Sequence, residues 1–157
     1  MVSGKRLSDL PPPVRRANLR RAYFDCRHGQ LHVRTAFPGG GGFDEGTTAL
    51  LLHDDTGSSR DWVDWLPVLG QDRSLYALDF PGHGESDGAA GAVSAREAVL
   101  DLCAELRLRQ VLLLVRGSAA RVADEVMAAR AGLVRAVVEC GPVDDLRTVA
   151  ARLAAAG

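Results

Sequence analysis

Leu75-Tyr-Ala-Leu-Asp-Phe-Pro-Gly-His-Gly-Glu-Ser-Asp87 is the stretch that decides the fold of this chain. Its apolar run ends in Asp79, and the turn-forming residues Pro81, Gly82 and Gly84 follow directly. A short apolar run bounded by turn residues is typical of a buried strand that leads into a tight loop. In open α/β sheets, ligands bind at this carboxyl edge of the strands. The stretch therefore predicts a buried strand and the edge of the sheet at which a functional site belongs.

Strand and helix patterns alternate along the rest of the chain. Strands are predicted at 47–53, 110–115 and 134–138, and helices at 62–69, 95–106, 119–130 and 146–155. Ser94, with Glu97 three residues later, predicts a capping box for the second helix. Two alternating runs around Gly29 predict a hairpin ahead of these elements. The order predicts an α/β fold, with a mostly parallel twisted sheet, helices on both faces and an N-terminal antiparallel hairpin.

Residues Asp79-Phe-Pro-Gly-His-Gly-Glu-Ser-Asp87 resemble a signature of the α/β-hydrolase superfamily, in which a strand runs into Asp-x-x-Gly-x-Gly-x-Ser-Asp. The resemblance covers Tyr23 to Gly157 and implies the first six strands of that fold. The last two strands of the superfamily have no counterpart, which implies a truncated α/β-hydrolase-like domain over residues 21–157. Residues 1–20 are basic and contain three consecutive prolines, so we expect a disordered tail there.

The resemblance implies a nucleophile on a sharp strand-to-helix turn, with small residues two positions before and after it. Ser118 matches the nucleophile position, and Ala120 is acceptably small. Arg116 is long and charged, and we expect it to clash or to force the turn open. The nucleophile elbow is therefore degenerate, and Ser118 is a working nucleophile, the relic of one, or a plain helix N-cap.

The resemblance also implies two oxyanion donors and an acid. The backbone amides of Asp55 and Ala119 match the donor positions, and His53 ends the strand that precedes the first of them. Because the loop has Asp54 where a glycine is usual, its geometry is in question, and two carboxylates beside an oxyanion would raise its energy. Asp144 or its neighbour Asp145 could supply the acid.

The base of the implied triad has no candidate in its expected place. A serine hydroxyl needs a base to become a nucleophile, and in these hydrolases that base is a histidine that follows the acid in the chain. All four histidines precede Ser118, namely His28, His32, His53 and His83. Substitution by His53 or His83 stays open as a lesser alternative. Their spacing relative to neighbouring carboxylates predicts no metal site, and we expect no cofactor.

The composition of the chain limits the classes of binding partner that we expect. The chain of 157 residues is 46% hydrophobic and 25% charged, with a net charge of −1, which predicts neither a nucleic-acid nor a membrane partner. Its three cysteines are widely spaced, and no secretory leader or membrane-spanning run is recognisable, so we expect a cytoplasmic location.

Two functions stay open. The first is a protein in the lineage of ester, lactone or thioester hydrolases that is inactive or incomplete by itself. The second is a non-catalytic domain that binds a small molecule or a partner. The strand at 134–138 would be an apolar edge, and such an edge favours a homo-oligomer or a complementing chain. Alternatively, the last helix could fold back and cover this edge with Leu146, Val149, Leu153 and Ala154.

Overall fold

A computed structural model describes residues 16–40 and 48–157. Within this part the strands are β1 (Asn18–Cys26), β2 (Gly29–Phe37), β3 (Ala49–Leu52), β4 (Leu75–Leu78), β5 (Val111–Arg116) and β6 (Val134–Cys140). The α-helices are α1 (Leu66–Leu69), α2 (Ala92–Glu105), α3 (Ala119–Ala129) and α4 (Leu146–Ala156), and a 3₁₀ helix spans Ser59–Trp62.

The strands form one sheet in the order β1-β2-β4-β3-β5-β6. β1 and β2 are an antiparallel hairpin, and β2 also pairs antiparallel with β4. The remaining neighbours, β4 with β3, β3 with β5 and β5 with β6, pair in parallel. The predicted α/β fold, with its N-terminal hairpin and mostly parallel sheet, is confirmed.

Helices cover both faces of this sheet, as predicted. On one face Leu50 and Leu52 pack with buried residues of α2 and α3. On the other face Leu51 packs with Trp62 of the 3₁₀ helix and with residues of α1 and α4. Every residue of β3 and β4 is buried, because a strand covered on both faces has no solvent side. This burial explains why these strands are continuous apolar runs in the sequence.

β6 is the last strand of the sheet among the described residues, and β5 is its neighbour. α4 folds back on the same face as the 3₁₀ helix, where Val149 and Leu153 are buried against Val138 and Cys140. The binding of a second copy or of a complementing chain at residues 134–138 stays a prediction. No helix in the described ranges is long and apolar enough to cross a bilayer.

The signature loop after β4 is organised by the buried carboxylate of Asp79. This carboxylate accepts hydrogen bonds from the amides of Ser59 (2.6 Å) and Glu85 (2.9 Å), and it lies 2.8 Å from His32 Nδ1. A side chain on Gly84, whose φ is +51°, would collide with the same carboxylate. The acid and the glycine of the signature therefore act together to close the loop.

The predicted start of the second helix is wrong. α2 begins at Ala92 with Gly91 as its N-cap, so the capping box of Ser94 and Glu97 is wrong. The Ser94 hydroxyl donates to the Gly91 carbonyl (3.0 Å), and Glu97 instead pairs with Arg27 of the hairpin turn (3.1 Å). A serine early in a helix can bond backwards to a carbonyl as readily as it caps.

The helix predicted at 62–69 is split into two short pieces. Ser58 caps the first piece, which is a 3₁₀ helix, and its hydroxyl accepts from the Arg60 amide (3.2 Å). Pro67 lies in the first turn of α1, where a missing N–H costs nothing. The chain therefore restarts at α1 instead of continuing as one helix.

The first strand begins earlier than predicted. β1 starts at Asn18, which pairs with Phe37, so residues 18–20 belong to the sheet and not to a tail. Of the rest of the predicted tail, residues 1–15 lie outside the described residues.

Candidate functional site

The connection from β5 to α3 contains a sharp turn, as the sequence predicts. Gly117 has a φ of +54°, a conformation that favours glycine. Ser118 follows with φ −60° and ψ −17°, which are helical values, and α3 begins at Ala119. The residue of the turn with a positive φ is thus Gly117, and Ser118 lies one residue beyond it on helical backbone.

The hydroxyl of Ser118 is held by the loop after β3. Ser118 Oγ donates to Asp54 Oδ1 (2.7 Å) and accepts from the Asp55 amide (2.9 Å). The same Asp54 oxygen accepts from the amides of Asp55 (2.7 Å) and Ser118 (3.3 Å). The Ser118 hydroxyl, with Asp55, holds the pKa of the Asp54 carboxyl below its ordinary value. A carboxylate with a lowered pKa is a poor acceptor for a serine proton.

His53 is not available as a base. Its side chain is fully buried at the end of β3, and burial lowers its pKa, so the ring is neutral at physiological pH. Nδ1 donates to the Asp54 carbonyl (2.6 Å), and Nε2 accepts from the Phe80 amide (3.0 Å). Both nitrogens therefore bind backbone, which ties the end of β3 to the signature loop.

The other histidines also have partners away from Ser118. The ring nitrogens of His83 lie 3.1 Å from the Pro81 carbonyl and 2.7 Å from the Asp55 carbonyl. His32 binds Asp79 as described above, and His28 lies 3.2 Å from Glu97. All four histidines of the sequence fall within the described residues, and no hydrogen bond there joins any of them to Ser118.

The implied oxyanion donors are only partly brought together. The Asp55 amide faces the turn as predicted, but it already donates to Ser118 and Asp54. The second amide that converges on the same Asp54 oxygen is that of Ser118, whereas Ala119 is the first residue of α3. The convergent donors are therefore Asp55 and Ser118.

The two candidate acids have local roles after β6. Asp144 accepts from the Gly141 amide (2.7 Å) and from Arg152 (2.9 Å), and these donors lower the pKa of its carboxyl. Asp145 is the N-cap of α4 and accepts from the Thr148 amide (2.8 Å). Among the described hydrogen bonds, none connects either carboxylate to Ser118.

The expected clash of Arg116 does not occur, and that prediction is wrong. Its guanidinium carbon lies 4.2 Å from the ring centroid of Trp62 and 4.6 Å from that of Trp65. Nη1 also donates to the Asp61 carbonyl (3.0 Å). The side chain points away from the turn and stacks on two indole rings. Sequence spacing alone does not reveal this contact.

A cavity of about 470 Å³ opens beside Ser118 at the carboxyl edge of the sheet. Phe80, Ala95 and Val122 form apolar walls, and Asp55 and Ser118 contribute polar atoms. This volume is in the range of small-molecule sites, which combine apolar walls with a few polar groups. A second cavity, of about 440 Å³, is lined mainly by polar and charged residues, which include Asp79 and Glu85 of the signature loop.

The described ranges contain no group of three His, Cys, Asp or Glu side chains that could hold a metal ion. Burial raises the pKa of Cys103 to about 12 and that of Cys140 to about 11. These thiols are therefore protonated at neutral pH, and a protonated thiol is a weak nucleophile.

The sheet order, the loop after β4 and the sharp turn after β5 together define the N-terminal part of an α/β-hydrolase fold. Comparison with known proteins supports this class at the level of structure. A scan against protein families finds no match, and a search of curated proteins finds no similar sequence.

Solved structures do match. An epoxide hydrolase from an endophytic Streptomyces superposes with a TM-score of 0.66 at 18% identity over 77% of this chain. A protein described as a hydrolase from Bacillus subtilis gives 0.64 at 17% identity, and Cfl2 from Burkholderia cenocepacia gives 0.67 at 21%, each over 77% of this chain. The chain spans 36%, 42% and 40% of the lengths of these three proteins. The chain thus has the α/β-hydrolase fold over part of that fold's length.

Proposed function

We propose that this chain is an α/β-hydrolase-fold domain that does not hydrolyse esters by itself and that binds a small, mainly apolar molecule in the cavity beside Ser118. The observation that carries the proposal is the hydrogen bond from Ser118 Oγ to Asp54 Oδ1 (2.7 Å). In a serine hydrolase that hydroxyl would be bonded to a histidine with a pKa near the working pH.

The chemistry at the turn supports a non-catalytic role. Asp54 is ionised at neutral pH, because the hydrogen bonds that it accepts lower its pKa. To take the Ser118 proton it would have to become a neutral acid while losing those bonds. A developing oxyanion near the Asp55 amide would also be repelled by this carboxylate. The chain is therefore a member of the lineage of ester-type hydrolases whose site no longer performs the reaction.

The cavity supports binding. Its apolar walls come from α2, α3 and the signature loop, all of which are anchored in the core, and polar groups of Asp55 and Ser118 also line it. A compact molecule with an aromatic or branched apolar body and one hydrogen-bonding group would satisfy both parts.

The proposal is tested by measuring turnover of 4-nitrophenyl acetate and binding of its product, 4-nitrophenol. With 4-nitrophenyl acetate, we expect wild type and Ser118→Ala to release 4-nitrophenol at the same background rate. Binding of 4-nitrophenol is then followed by NMR. Ala92→Trp, which places an indole at the cavity lining, should weaken binding, whereas the neighbouring exposed Val93→Trp should not.

The outcomes separate the alternatives. Wild-type turnover well above that of Ser118→Ala would show that the serine is a nucleophile and would overturn the non-catalytic role. Equal binding to Ala92→Trp and Val93→Trp would show that the probe does not enter this cavity.

A further inference from the structure

The turn after β5 is crowded at Gly117. An added Cβ on this residue would lie 2.6 Å from Asp54 Cγ, and it would also press against the oxygens of the same carboxylate. Carbon atoms that are not bonded do not approach to this distance, so the carboxylate would have to move. Gly117 therefore leaves the space in which the Asp54 carboxylate sits.

The residues two positions before and after Gly117 are more buried than those two positions before and after Ser118. Val115 and Ala119, two positions before and after Gly117, are each 1% exposed. Arg116 and Ala120, two positions before and after Ser118, are both partly exposed. A nucleophile elbow is a sharp turn, and its nucleophile occupies the residue with the unusual backbone conformation. The positive φ selects Gly117, for which the flank Ala119 is small, whereas the other flank, Val115, is larger and belongs to the buried strand β5.

We propose that Gly117, and not Ser118, stands at the nucleophile position of the elbow, and that the Asp54 carboxylate is a built-in occupant of the site. The carboxylate fills the space of the missing side chain. It also accepts from the Asp55 and Ser118 amides, the two donors that converge on the turn. The inference deepens the proposed function and rests on it, because it identifies what replaces a nucleophile and an oxyanion there.

The contact between Asp54 and Gly117 connects two differences from the α/β-hydrolase pattern that lie far apart in the sequence. Asp54 stands where the resemblance implies a glycine, and Gly117 stands where the backbone places the nucleophile. A larger residue at 117 would expel the Asp54 side chain and break its bonds to Asp55 and to Ser118. The two residues are therefore predicted to be energetically coupled, since they share one volume.

A mutant cycle on the full chain tests this coupling. Gly132 is the matched control, because it also has a positive φ (+83°) but nothing lies within 4 Å of the place that an added Cβ would take. We expect Gly117→Ala to raise the unfolding equilibrium constant, measured with urea, at least tenfold more than Gly132→Ala does. In an Asp54→Ala background the two glycine substitutions should have the same effect within about twofold.

Each outcome decides the inference. If Gly117→Ala does not fold but Gly117→Ala with Asp54→Ala does, the rescue supports shared occupancy. Equal effects of the two glycine substitutions in the wild-type background would overturn it, and so would an excess at 117 that persists without Asp54. The readout is stability, so failure here is distinguishable from the ester turnover that would contradict the proposed function.

Discussion

Asp79 is the residue that the signature places at the end of β4, and the structure shows it to be a loop organiser. It is 1% exposed. Burial raises the pKa of this carboxyl, but donors from Glu85, Ser59 and His32 outweigh burial and hold the pKa below its ordinary value. A buried carboxylate that accepts several hydrogen bonds stabilises the fold only while it is ionised.

Asp79→Asn should therefore destabilise the protein at neutral pH by about 2–3 kcal/mol, because the amide group would face donors. The folded pKa lies below the unfolded value of 3.8, so the contribution of the carboxylate is complete above that value. It is lost as the pH falls through the folded pKa. Urea unfolding of both proteins at pH 7 and near pH 3 measures this change.

The difference between wild type and Asp79→Asn should shrink at the lower pH. Comparison with the variant is needed because Asp54, Asp101 and other carboxyls also have lowered pKa values. A difference that stays constant with pH would mean that Asp79 stabilises the loop by shape and not by charge.

At the level of elements, Arg116 joins the end of β5 to the 3₁₀ helix and to the residues before α1. Its guanidinium stacks on Trp62 and Trp65 and donates to the Asp61 carbonyl. Each cation–π contact of a partly exposed arginine contributes about 0.5–1 kcal/mol. The short helical pieces have few backbone bonds of their own, so this side chain is one of their supports.

Arg116→Ala should lower the free energy of unfolding by about 1–2 kcal/mol, and Arg116→Lys should recover only part of it, because an ammonium cannot stack on two rings. Urea unfolding followed by far-ultraviolet circular dichroism avoids the altered tryptophan signal. The exposed Arg109→Ala serves as control. A loss no greater than that of the control would show that the stacking is incidental.

At the level of the whole molecule, α4 closes the second face of the sheet beside the edge strand β6. Val149 is fully buried there, with Leu153 on the same side of the helix. Covering this face removes apolar surface of β5 and β6 from water. Within the described residues, α4 therefore contributes to the core on this face of the sheet.

Val149→Ala should destabilise the protein by about 2 kcal/mol, from the lost transfer energy of two methyl groups and the cavity left behind. Val143→Ala removes the same atoms from a side chain that is 93% exposed, and we expect almost no change. Urea unfolding of the two variants is a matched comparison. Similar stabilities would mean that α4 does not contribute to the cooperative core.

Much of the fold could be predicted because it follows from local patterns. The strand before Asp79 has the predicted bounds, and α3 and α4 begin at the predicted residues. The first residue of a helix was harder to predict where a side chain could form either of two hydrogen bonds. Ser94 could cap or bond backwards, and only packing of α2 against the hairpin decides between these.

The site was predicted less completely than the fold. The sequence shows that no histidine follows Ser118 and that Arg116 stands in the turn after β5 where a small residue is usual. It does not show which residue of the turn carries the positive φ. Gly117 and Ser118 are adjacent, so a shift of the turn by one residue changes which of them occupies the nucleophile position. The direction of Arg116 depends on two tryptophans about 50 positions earlier in the chain.

The amino-acid sequence by itself determined the α/β class, the edge of the sheet that carries the site, and the absence of a histidine after the serine. These follow from hydrophobic period, turn residues and residue order, which are properties of the chain taken locally. Only the tertiary structure decided that Asp54 meets the turn at Gly117 and that each histidine has another partner. Those contacts join residues far apart in the chain, and the folded backbone sets their distances.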